Sequence, residues 1–109
     1  MVFMRPADFQ ILDWPTGWRG VETSDEGDLL ERELAREVTR SHVLFGKKVV
    51  TIGRRDDCDD VLFFVESIPP QVAVVHLTWH QQNSPPWPDT VLHSSVDEWI
   101  AANNSAESY

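Results

Sequence analysis

Between Thr23 and Ser41 the apolar positions fall in the rhythm of an amphipathic helix. Leu30, Leu34 and Val38 recur every four residues with Ala35 alongside, and Arg32, Arg36 and Arg40 recur on the opposite side. Thr23 or Asp25 is placed to cap the start, and acids fill the first turn, where they complement the helix dipole. Asp28, Glu33 and Glu37 precede the arginines by three or four positions and can pair with them. The helix is expected to run from about Asp25 to Ser41, ahead of His42 and Gly46.

Beyond Gly46 the pattern turns to that of strands. Lys47 to Arg54 carries the β-branched run Val49, Val50, Thr51 and Ile52, and Val61 to Glu66 is apolar almost throughout. Gln71 to Trp79 sends Val72, Val74 and His76 to one face and Ala73, Val75, Leu77 and Trp79 to the other. Its first half is apolar on both faces, which suits an interior strand. The links are short, so the strands should form an antiparallel meander. A brief strand at Thr90 to His93 follows the polar, proline-rich stretch Gln81 to Asp89. Ser95-Val96-Asp97-Glu98 is a capping-box pattern opening a short helix whose apolar side holds Val96, Trp99 and Ile100. Near the N-terminus, Phe9 to Asp13 could supply a short edge strand before Pro15 and Gly17 interrupt regular structure.

The predicted architecture is α+β: a helix, a three- to four-stranded mostly antiparallel meander sheet and a short C-terminal helix, with the helices mainly on one face. Residues 1–24 are expected as an extended arm, 25–102 as the domain and 103–109 as a frayed end. A chain of 109 residues supports one such domain. That size leaves little room for an enclosed cavity, so a site is expected in a shallow cleft or at a subunit interface.

Charge changes the picture. Nine Lys and Arg stand against eighteen Asp and Glu, a net −9, and every base lies at or before Arg55. The whole excess therefore resides in the second half. Such a balance repels phosphates and anionic lipid headgroups, so nucleic acid and membrane are disfavoured as partners. A basic protein surface is favoured, and a homo-oligomer remains open. The lone Cys58 has no intrachain disulfide partner, and no secretory signal precedes the domain, so a cytoplasmic location is expected. No cofactor is called for.

The strings Asp57-Cys58-Asp59-Asp60-Val61-Leu62-Phe63, Ala73-Val74-Val75-His76-Leu77-Thr78-Trp79 and Pro86-Trp87-Pro88-Asp89-Thr90 resemble a signature of small, stand-alone bacterial proteins. The helix and His42-Val43-Leu44-Phe45-Gly46 fit the same pattern, and the resemblance spans about residues 29–100. It implies a bacterial single-domain α+β protein and supplies no catalytic residues.

Candidate chemistry is sparse. Asp56, Asp57, Asp59 and Asp60 offer the hard oxygen ligands of a calcium site, but Val61 and Ser67 stand where a calcium loop needs its glycine and closing glutamate. Arg54 and Arg55 adjoin the cluster as counterions. With Trp87 and Asp89, the same aspartates make the expected partner-binding surface. Cys58 sits among acids that oppose thiolate formation. His76 and His80 share a strand face but stand roughly 13 Å apart in a regular strand, too far for one zinc ion. No metal site is expected. An alternative places His76 with Asp59 or Asp60 in the cleft of a small hydrolase, metal-assisted or His/Asp-based. A weaker alternative binds anions or nucleic acid through Arg32, Arg36, Arg40 and Lys47. The leading expectation is a non-catalytic acidic interaction domain, an inhibitor or immunity-type factor.

Overall fold

A computed structural model describes residues 14–21, 23–79 and 88–107 of the chain. The elements are β1 (Trp18–Gly20), α1 (Ser24–Glu37), β2 (Val49–Arg55), β3 (Asp60–Val65), β4 (Gln71–His76), β5 (Asp89–His93) and α2 (Val96–Glu107). The strands lie in sequence order in one sheet, every neighbouring pair antiparallel. The expected α+β class and antiparallel meander are present, with five strands in place of three to four.

The additional strand is β1, which pairs with the end of β2 through Trp18↔Arg55 and Gly20↔Gly53. The sheet thus begins inside the segment expected as an extended arm. The proposed strand at Phe9 to Asp13 lies outside the described residues.

Strand alternation divides the interior into two cores. Val61, Phe63, Val65, Ala73, Val75 and Leu77 point to one face, where Leu30 and Leu34 of α1 cover them together with Val21 and Leu44. Ile52, Leu62 and Val72 point to the other, where Trp18 and Trp99 of α2 close over them. The helices are therefore divided between the two faces rather than gathered mainly on one. The physical reason is two-sided burial. β3 and β4 are apolar on alternate and intervening positions alike, and each apolar face must be removed from water.

Thr23 caps α1 by accepting from the Glu26 amide at 3.3 Å, as its position foretold. The helix ends at Glu37, four residues before the expected Ser41, because Val38 is extended (φ −78°, ψ 140°). Arg40 therefore falls in the following turn and the arginine stripe is not continuous on the helix. Ser95 caps α2 by accepting from the Glu98 amide at 3.0 Å. The Glu98 carboxylate takes the neighbouring Ser94 hydroxyl. α2 continues to Glu107, past Asn103, where fraying was expected.

A register shift between Thr51 and Gly53 interrupts the β2–β3 ladder. The loosened Thr51 amide is satisfied by Glu31 of α1 at 2.8 Å, and the Thr51 hydroxyl by the Gly27 carbonyl at 3.1 Å. Opposite, Trp14 packs so closely on Gly53 that a Cβ there would stand 2.5 Å from the indole. A glycine is required at that point for the aromatic to approach the strand.

Candidate functional site

Register brings the chemistry-bearing residues to one end of the sheet. Asp60 of β3 pairs with His76 of β4, and His76 pairs in turn with Asp89 of β5. The three form a row across the sheet. The β2–β3 turn, carrying Asp56, Asp57 and Asp59, closes the same end, and the Asp59 carbonyl accepts from the Leu77 amide at 3.1 Å just past β4. Five aspartates from two separated stretches of sequence thus converge. Trp87, expected alongside them, lies outside the described residues.

Arginines neutralise part of this cluster. Arg55 grips Asp57 through two bonds of 2.8 and 2.7 Å. Arg19 donates Nε to Asp56 at 2.8 Å and its remaining nitrogens to Glu26, which also accepts from Arg54 at 3.2 Å. The Arg55 guanidinium holds the Asp57 carboxyl below the usual carboxylate range. Hydrogen bonding to Arg19 does the same for Glu26. Of the two counterions anticipated from the sequence, Arg55 serves the loop, while Arg54 serves Glu26 and distant Arg19 takes its place.

His76 Nδ1 lies 2.7 Å from Asp60 Oδ1. A carboxylate only accepts, so Nδ1 carries the proton and Nε2 of the neutral ring keeps its lone pair. His76 is 48% exposed and Asp60 26%. The pair has the orienting half of a general-base arrangement. Ionisation of the nearby Cys58 thiol is disfavoured: burial pushes the thiol up, and the charge of Asp60 opposes ionisation further. Among the described residues no group of three or more His, Cys, Asp or Glu side chains is placed to hold a metal ion.

The basic candidates do not assemble. Arg36 bonds Glu33, Arg32 bonds the Asp28 carbonyl, and Arg40 and Lys47 stand in the loop after α1. His42 is buried and structural: its Nδ1 accepts from the Leu44 amide at 3.0 Å, so Nε2 donates to the Pro88 carbonyl at 2.9 Å.

Two buried acids escaped the sequence reading. Glu37 is fully buried, and its carboxylate accepts from the Thr78 amide, the Thr78 hydroxyl and the Trp79 amide, each at 2.8 Å. This grip bends the chain out of β4 three residues before the expected end at Trp79, which takes φ +60°. Burial pushes Glu37 up, but bonds from Glu33, Thr78 and Trp79 hold it below the usual range. Glu33, one turn earlier, is raised by burial and then by its bond to Glu37. The signal was available: at helical spacing, Glu33 and Glu37 share the side of Leu30 and Leu34. Pairing them with the arginine stripe obscured it.

A shallow groove of about 210 Å³ lies between α2 and the sheet, with Trp18, Val74, Val91, Trp99 and Asn103 among its lining. Asp60 reaches its rim. No helix among the described residues is long and apolar enough to cross a membrane. Comparison with protein-family models, curated proteins and solved structures returned no match to the chain.

Proposed function

We propose that this protein is a non-catalytic interaction domain that engages a basic protein surface through the acidic end of its sheet, in the manner of an inhibitor or immunity-type factor. The observation that carries the reading is the row Asp60–His76–Asp89, which adds Asp89 to the end already occupied by Asp56, Asp57 and Asp59. Among the described residues these five aspartates have Arg19 and Arg55 as their arginine partners, so the end stays negative after those pairs form. Asp59 and Asp89 are exposed and carry that excess outward. A charge distribution of this kind accelerates and orients encounter with a positive partner.

Capture from cell lysate tests the reading. The double variant Asp59→Asn with Asp89→Asn should lose a partner that the wild-type chain retains at low salt and releases at high salt. Retention of the same partner by both chains overturns it.

A second reading has its own observation, the 2.7 Å contact between His76 and Asp60. The oriented imidazole could take a proton from water or an alcohol in hydrolysis. Hydrolysis of simple activated esters, abolished in His76→Ala and reduced in Asp60→Asn, would support this. Equal rates in all three chains would dismiss it.

A further inference from the structure

We propose that the groove between α2 and the sheet binds a small neutral molecule bearing a carbonyl oxygen on an apolar body. At about 210 Å³ the groove falls below the roughly 300–1,000 Å³ of sites for drug-sized ligands, so its occupant is small. Val74 and Val91, cross-strand neighbours on β4 and β5, supply apolar lining. Val91 is 52% exposed although it sits on the face that α2 covers, so the helix leaves apolar surface open there.

The polar character of the lining identifies the ligand chemistry. Trp18 and Trp99 both line the groove and are only 8% and 1% exposed, yet neither indole N–H has an acceptor among the described residues. Buried donors are nearly always paired, and two unpaired ones in a single lining call for an acceptor from outside the chain. The rings stand edge to face with centroids 4.9 Å apart, an arrangement that holds them in a fixed relation to each other. Neither N–H has open surface of its own, so binding requires the lining to part and admit the oxygen. Charge selects a neutral acceptor over an anion. Arg55 and Asp60 both line the groove; Arg55 is engaged by Asp57 and Asp60 by His76. Their opposite charges offset, His93 in the same lining faces the Glu98 carboxylate at 3.7 Å, and a carboxylate ligand gains no net attraction.

The test follows the indole N–H resonances of the ¹⁵N-labelled full chain during titration with benzamide, benzoate and toluene. Trp18→Phe assigns one resonance. Benzamide should shift the Trp18 and Trp99 signals saturably, with benzoate and toluene at least tenfold weaker. Ala102→Phe, at an exposed α2 position lining the groove, should weaken benzamide tenfold or more without lowering the melting temperature. Absence of a saturable benzamide shift, or one that persists unchanged in Ala102→Phe, overturns the site. Equal or tighter binding of benzoate or toluene overturns the ligand class. The groove shares Asp60 and Arg55 with the acidic end of the sheet, but neither substitution falls there, so loss of benzamide binding leaves the partner-capture result unaffected.

Discussion

Replacing Glu37 should cost more stability than any change at the acidic surface. The side chain is fully buried and accepts three bonds of 2.8 Å from Thr78 and Trp79. A hydrogen bond to a charged group contributes about 1.5–3 kcal/mol, and a buried donor left unpaired costs about 1–3 kcal/mol. Glu37→Ala strands two amides at once. A loss of about 3–5 kcal/mol follows, a large share of the roughly 5–15 kcal/mol that holds a typical domain. Glu37→Gln keeps one oxygen and turns an NH2 group toward the remaining donor, for about 2–3 kcal/mol. Urea unfolding followed by circular dichroism measures both, and amide exchange at Thr78 and Trp79 should accelerate in each variant.

The two acids also make opposite contributions with pH. Glu37 is held below the unfolded value of about 4.3. Its stabilisation is present above that value and is lost as pH falls through the lower folded value. Glu33 is raised. Its contribution is present below about 4.3 and is lost as pH rises through the higher folded value. Glu33→Gln should therefore be neutral or stabilising at mildly alkaline pH, where Glu37→Gln is destabilising. If Glu37→Gln unfolds within about 0.5 kcal/mol of wild type, the size of an ordinary surface change, the reasoning fails.

Other outcomes follow from single contacts. Gly53→Ala drives a Cβ into the Trp14 indole and should cost about 1–3 kcal/mol, read by urea unfolding. His42→Ala leaves the Leu44 amide and the Pro88 carbonyl without their imidazole partner, for a loss of about 2–3 kcal/mol in the same assay. Ser95→Ala removes the α2 cap and should cost about 0.5–2 kcal/mol, with faster amide exchange in the first turn of α2. Asp60→Asn breaks an exposed pair. It should change stability by less than about 1 kcal/mol while altering the tautomer balance of His76, visible in its ring ¹⁵N shifts.

The elements that could be read from sequence are those whose pattern is local. α1, β3 and β4 announce themselves by spacing, and Ser95 by its capping motif. β1 does not, because three residues, Trp-Arg-Gly, carry no alternation. What makes them a strand is the partner segment Gly53–Arg55, far along the chain. The division of the helices between faces was implicit in the doubly apolar β3 and β4, which need cover on each side. The convergence of His76 with Asp60 could be anticipated from a meander, whereas adding Asp89 required the β4–β5 register. The groove depends on α2 crossing back over Trp18 of β1, a contact that no local pattern encodes. Glu33 and Glu37 both sit on the buried stripe: Glu33 makes its expected pair with Arg36, but Glu37 depends on donors some forty residues away, which no local pattern encodes.

The proposed acidic interface is tested most directly by the association rate of the wild-type chain with its captured partner, measured by stopped flow across a series of salt concentrations. The rate should fall steeply with added salt, and the double variant Asp59→Asn with Asp89→Asn should associate more slowly with a shallower dependence. Identical rates and identical salt slopes for the two chains would contradict the proposal.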